Sequence, residues 1–255
     1  MKTIKLAFEE YGESFNKPLI ILHGFFASSR NWRLIAKKLA DHYHVYVLDM
    51  RNHGLSPHAA EMDYATMAED LLAFMDQHKL QSANFLGHSM GGKVAMWLAL
   101  TAPERIDKLI VADISPVSYQ HSFDNTINAL KQLPLNQISN RKQADDLLSG
   151  AIPELSYRQF LLQNLQLKEG EYSWRINLDY FFQAADSIIA FPAVENIEPY
   201  QGEVLFIMGG NSNYSDPDAI EGSFPNAEII TIKEANHWLH IDKPADFLHN
   251  VINFL

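Results

Sequence analysis

The residues with the clearest chemical meaning are a serine set between glycines, Gly87-His88-Ser89-Met90-Gly91, continued by Gly92. An apolar segment ending at Phe85-Leu86 runs into it, and a strongly apolar helical segment from Val94 to Ala102 runs out of it. A chain that turns from strand to helix in so few residues brings backbone against backbone, and a side chain at Gly87 or Gly91 would clash there. The serine is forced into a strained conformation that exposes its hydroxyl at a helix N-terminus. At that place the helix dipole and free N–H groups favour developing negative charge. A serine hydroxyl is a poor nucleophile near neutral pH, so a base must take its proton. Eleven histidines compete for that role. There is no cysteine, which excludes a thiol nucleophile, disulfides and thiolate zinc sites.

The elements that must hold these groups alternate along the chain. Thr3 to Phe8 predicts a strand, followed by a polar turn from Glu9 to Lys17. Leu19-Ile20-Ile21-Leu22, Val45-Tyr46-Val47-Leu48 and Leu109-Ile110-Val111-Ala112 are continuous apolar runs, each ending at His23-Gly24, Asp49 or Asp113. Trp32, Ile35, Ala36 and Leu39 fall at helical spacing, as do Tyr64, Met67, Ala68, Leu71 and Met75. Continuous rather than alternating runs suit strands covered on both faces, and strict strand–helix alternation predicts a mostly parallel sheet with helices on both faces. The rhythm breaks between Val117 and Glu198, where only helical patches are expected: Phe123 to Leu133, Arg141 to Leu148, Tyr157 to Leu165 and Leu178 to Ile189. Strands return at Val204 to Met208 and Ala227 to Ile232, with a last helix from Ala245 to Leu255. The expected organisation is one core, residues 1–116 and 199–255, carrying a helical insertion at 117–198.

Taken with this layout, the elbow resembles that of the α/β-hydrolase superfamily, and the resemblance spans essentially the whole chain. More narrowly the sequence is similar to the bacterial YbfF-type esterases. That match rests on Asp49-Met50-Arg51-Asn52-His53-Gly54-Leu55-Ser56, Gly87-His88-Ser89-Met90-Gly91-Gly92-Lys93, Asp113-Ile114-Ser115-Pro116-Val117 and Met208-Gly209-Gly210-Asn211-Ser212. The resemblance implies a Ser–acid–His order along the chain. His237, in the turn Ala235-Asn236-His237-Trp238, matches the family's base; His240, three residues on, is the rival and is read as a wall or helix-start residue. Many relatives place the acid where this chain has Ser212, which cannot serve. Asp113 at the end of the preceding strand is the preferred acid, with Asp216 and Asp218 as alternatives and Ser212 in a supporting role. The oxyanion would be held by the backbone N–H groups of Met90 and of Phe25, in the loop His23-Gly24-Phe25-Phe26, with Gly24, Gly87 and Gly91 supporting the geometry. Phe26, His88 and Trp238 are expected around the substrate. His23 and His88 are read as loop-shaping residues, and Asp49 with Arg51 as a structural ion pair bracing a loop beneath the site.

The expected activity is therefore carboxylic-ester hydrolysis through an acyl-enzyme, extending to acyl-coenzyme A thioesters, with no metal and no organic cofactor required. The partner is a small acyl ester or thioester. Carbon–carbon bond hydrolysis, a lyase reaction, or a ligand receptor without turnover share the fold and stay open. Aromatic residues of the insertion, Phe123, Tyr157, Phe160 and Phe182 among them, offer apolar surface. Lys131, Arg141, Lys142, Arg158, Lys168 and Arg175 offer charge for an anionic substrate. The 255 residues, 47% hydrophobic, suffice for one large core. Twenty Lys and Arg against thirty-one Asp and Glu, a formal charge of -11, argue against nucleic acid as a partner. The N-terminus lacks the apolar core of a signal peptide and no segment has the ~18 apolar residues of a membrane span, so a cytoplasmic location is expected.

Overall fold

The computed structural model describes residues 2–255. In chain order its elements are β1 (Phe8–Tyr11), β2 (Lys17–Leu22), α1 (Arg33–Leu39), β3 (Tyr43–Leu48), α2 (Tyr64–Gln77), β4 (Ala83–His88), α3 (Met90–Thr101) and β5 (Ile106–Ala112). There follow α4 (Asp124–Gln132), α5 (Arg141–Leu148), α6 (Leu155–Leu162), β6 (Leu165–Lys168), β7 (Glu171–Trp174) and α7 (Leu178–Ile189). The chain closes with β8 (Val204–Gly209), α8 (Pro217–Ser223), β9 (Ala227–Ile232), α9 (Leu239–Asp242) and α10 (Pro244–Phe254). Seven strands form one sheet in the order β1-β3-β2-β4-β5-β8-β9. All its pairings are parallel except β1 with β3.

The apolar runs read from the sequence are buried on both faces because successive strand residues feed two cores. Ile20, Leu22, Phe85 and Val111 join α2 and α3 on one side. Leu19, Ile21, Leu86 and Ile110 join α1 and α10 on the other. This is the α/β-hydrolase fold. Between β5 and β8 the chain leaves the seven-stranded sheet for α4 to α7 and the strands β6 and β7.

Four local expectations need correction. The first strand lies at Phe8–Tyr11, not Thr3–Phe8, because N–H groups of the preceding backbone donate to side chains instead of to a neighbouring strand. Ile4 N–H donates to Asp70 Oδ1 at 2.9 Å and Ala7 N–H to Ser56 Oγ at 2.8 Å. The segment between β5 and β8, expected to hold only helical patches, contains a hairpin, β6–β7, turned by Glu169 (φ 53°) and Gly170 (φ 85°). Two positive φ values suit a tight two-residue hairpin turn, and its short, half-polar strands give no apolar run to read. The Asp216–Asp218 stretch, where Pro217 between the two carboxylates suggests a surface turn, is a helix start, with Asp216 accepting from Ala219 N–H to cap α8.

The fourth is the expected Asp49–Arg51 ion pair. Arg51 instead grips Asp70 of α2 at 2.7 and 2.8 Å, both side chains wholly buried. Asp49 accepts the backbone N–H groups of Ser29 (2.7 Å) and Leu55 (2.8 Å), closing its loop by hydrogen bonds. Replacing Arg51 with Met leaves the Asp70 carboxylate buried without its cation. The expected cost is about 3–5 kcal/mol, read as a lowered urea midpoint at unchanged slope.

Candidate active site

Because β2, β4, β5, β8 and β9 run parallel, their C-terminal ends share one edge of the sheet, and the loops leaving that edge converge. Ser89 follows β4 with φ 52° and ψ −119°, a strained conformation for a non-glycine residue. The crowding that imposes it is severe. A Cβ on Gly87 would lie 2.4 Å from the Gly91 carbonyl oxygen, and one on Gly91 would lie 2.4 Å from that of Leu22.

Ser89 Oγ stands 3.1 Å from His237 Nε2, and His237 Nδ1 stands 2.7 Å from Asp113 Oδ2. A carboxylate can only accept, so Nδ1 carries the proton and Nε2 is left bare toward the serine hydroxyl. Asp113 is wholly buried and follows β5 with φ 52°. Its Oδ1 accepts Gly209 N–H at 2.7 Å and its Oδ2 accepts the Ser212 hydroxyl. His88 donates from Nε2 to the His237 carbonyl at 2.8 Å and so holds the histidine loop. Burial keeps the His88 imidazole well below its ordinary pKa, and the neighbouring His237 and His240 add to that.

The alternatives lie elsewhere. His240 stacks on Trp32 at 4.2 Å with planes 8° apart, and burial pushes its pKa down to about 3. It is the second residue of α9 and a wall of the cavity. Asp216 is engaged as the α8 cap and Asp218 is exposed in that helix's first turn.

The loop after β2 runs beside the serine: a Cβ on Gly24 would lie 3.3 Å from Ser89 Cβ. Among the described residues neither the Phe25 N–H nor the Met90 N–H meets a protein acceptor. Both residues line a cavity of about 300 Å³ that also contains Ser89, His237, Phe26, His88 and Trp238. The segment between β5 and β8 contributes Phe123, Tyr157 and Phe160 to its walls.

Sequence reasoning did not find Tyr214, whose ring lies 4.4 Å from that of His237, nor Tyr119, Trp32 and His121 in the same cavity. It also passed over Lys93, four residues beyond Ser89. Lys93 is buried and donates to the Ile189 and Ala190 carbonyls at 2.7 and 2.8 Å, beneath the face of Tyr119 at 4.8 Å. Burial pulls its pKa down to about 7. A lysine in the motif Gly91-Gly92-Lys93, on an otherwise apolar helix, was the available signal.

With this geometry in place, the chain belongs to the α/β hydrolase fold family, which it matches over residues 17–244. It is 41% identical to the sn-1-specific diacylglycerol lipase ABHD11 of Mus musculus, over 96% of this chain and 82% of that protein. It is 35% identical to the esterase YbfF of Escherichia coli, over 94% of this chain and 93% of that one. A solved structure described as a marine microorganism esterase superposes with a TM-score of 0.94 at 40% identity, covering 99% of this chain and 100% of that chain. By sequence and by fold the protein stands among hydrolases of the esterase and lipase type. Among the described residues no helix is long and apolar enough to cross a membrane.

Proposed function

We propose that the protein is a serine carboxylic-ester hydrolase acting through an acyl-enzyme, with residues 117–198 forming a cap over the cavity. The observation that carries this reading is the hydrogen-bond chain from Ser89 Oγ through His237 to the buried Asp113. Ser89 attacks the acyl carbonyl as His237 Nε2 takes its proton, and the charge on carbonyl oxygen falls to the Phe25 and Met90 N–H groups. His237 then protonates the leaving alkoxide. A water molecule, deprotonated by the same nitrogen, cleaves the acyl-enzyme and returns Ser89. Asp113 fixes the tautomer and stabilises the imidazolium.

The apolar walls suit an acyl chain, and the cavity lies at the small end of the ~300–1,000 Å³ usual for ligand sites. The cations of the insertion give little support to a coenzyme A thioester. Lys131, Lys142 and Arg158 pair with Asp179, Asp146 and Asp145, Arg141 donates to backbone carbonyls, and none of the six lines the cavity. The relatives bring a glycerolipid ester, diacylglycerol, into the substrate class to be tried.

The test is turnover of p-nitrophenyl esters from acetyl to palmitoyl, beside acyl-coenzyme A thioesters and diacylglycerol, with Ser89→Ala as control. Ester turnover that disappears in a folded Ser89→Ala protein is the expected outcome. Retained turnover in that variant would remove Ser89 as nucleophile, and an inactive wild type would favour a different reaction of the fold or a receptor.

A further inference from the structure

The loop that presents Phe25 is a turn closed by Ala27 N–H donating to the Gly24 carbonyl at 3.1 Å. Phe26 occupies its third position with φ 63°. Turns of that shape place glycine or asparagine there, and a bulky aromatic residue holds the conformation only when its surroundings impose it. Two buried side chains from distant parts of the chain do so. His53, after β3, donates from Nδ1 to the Arg51 carbonyl at 2.8 Å, which leaves Nε2 bare to accept Phe26 N–H at 3.3 Å. Asn164, between α6 and β6 in the insertion, donates from Nδ2 to the Phe26 carbonyl at 2.7 Å and to that of Leu161 at 3.3 Å. The peptide groups on both sides of the Phe26 Cα are thereby held.

The central peptide of the turn is Phe25–Phe26, and rotating it would return Phe26 to a negative φ. The His53 acceptor opposes that rotation. The Asn164 amide fixes the next peptide, and Phe181 of α7 stacks on Phe25 with ring centroids 4.4 Å apart. Two of these three restraints belong to the inserted segment.

We propose that Asn164 and His53 are positioning residues that lock the Phe26 turn and so aim the Phe25 N–H at the oxyanion, making the insertion a structural part of the oxyanion hole. The proposal rests on the ester-hydrolase reading above. Asn164→Asp keeps the shape of the side chain but sets a carboxylate oxygen against the Phe26 carbonyl. His53→Leu removes the acceptor on the other side, whereas the His53→Gln amide oxygen can still accept the Phe26 N–H.

The experiment measures kcat and KM for p-nitrophenyl butyrate, together with inhibition by an alkyl boronic acid, whose tetrahedral adduct on Ser89 fills the oxyanion hole. Losing one oxyanion donor costs about 10²–10³ in kcat. A donor misdirected but present is expected to cost about 10–100-fold in Asn164→Asp and His53→Leu, with KM within about twofold. Boronate affinity should weaken in step, and His53→Gln should recover most of both. Should Asn164→Asp fail to fold, the two His53 variants give the same comparison. Wild-type kcat in Asn164→Asp and His53→Leu, or a lowered kcat with undiminished boronate affinity, would overturn the proposal while leaving the hydrolase reading intact. A wild-type protein that turns over no ester would instead remove that reading, and the proposal with it.

Discussion

Asp113→Asn is expected to lower ester turnover by about 10²–10⁴-fold without unfolding the protein. Every hydrogen bond to this carboxylate comes from a donor: Gly209 N–H on one oxygen, the Ser212 hydroxyl and the His237 Nδ1–H on the other. An amide keeps one acceptor and introduces two N–H groups. Turned toward Gly209, the NH₂ group meets another N–H with no freedom to move. Turned toward His237, it requires Nδ1 to accept, which places the ring proton on Nε2, facing Ser89. In that tautomer the imidazole has no lone pair for the serine proton. The measurement is kcat for a p-nitrophenyl ester near neutral pH, with Asp216→Asn and Asp218→Asn as comparators. Those two carboxylates belong to the start of α8, and their variants should stay close to wild type. A large loss in either, with Asp113→Asn active, would move the acid to the later loop.

Acidification is expected to unfold the protein steeply below about pH 6.5, the ordinary histidine value. His23, His53, His88 and His240 are buried, and burial lowers the pKa of each. Below 6.5 the unfolded chain takes up protons that the folded chain refuses, so it binds more protons and stability falls as pH falls. Each such group contributes up to about 1.4 kcal/mol per pH unit, or roughly 5 kcal/mol per unit for four. That is a large share of the ~5–15 kcal/mol of a folded domain. Lys93 acts in the same sense at higher pH. It sheds its proton near pH 7 when folded and near the ordinary 10.5 when unfolded, so stability rises with pH between those values. Urea denaturation at pH 7.5, 6.5 and 5.5 measures the acid limb, and His240→Phe should reduce its slope by about a quarter. A flat dependence would mean that these imidazoles accept protons in place. The same restraint bears on the acid limb of the activity profile, since His88, His240 and His53 stay neutral where exposed imidazoles titrate.

How far the sequence could be read depends on the range of the interaction involved. The elbow was legible because its constraint is local: glycines at 87 and 91 are demanded by backbone oxygens 2.4 Å from where a Cβ would sit. The parallel sheet was legible because strands covered on both faces must be continuously apolar. Those two facts bring Ser89, Asp113 and His237 to one edge, since each follows the end of a parallel strand. What was misread depends on partners far along the chain. Arg51 lies two residues from Asp49, yet its partner is Asp70, 19 residues away on a helix face. Tyr119 and Tyr214 meet across 95 residues, and nothing in the local pattern of either announces the cavity. The β6–β7 hairpin escaped notice because four-residue strands with one wet face carry almost no periodic signal. The role of Asn164 was equally invisible, since its partner, the Phe26 carbonyl, is 138 residues distant and belongs to the backbone.

The separation of Asp113 from His237 by 124 residues has a kinetic meaning. The loop after β9 can meet Asp113 only once the intervening chain has been closed into a ring by docking β8 and β9 onto β5. Loop-closure entropy is spent before those long-range pairings return any energy, which makes parallel sheets of this kind slow to complete. The hydrogen-bond chain from Ser89 to Asp113 therefore depends on pairings made over long stretches of chain, and a molecule in which β8 and β9 have not docked holds Ser89 without His237 beside it.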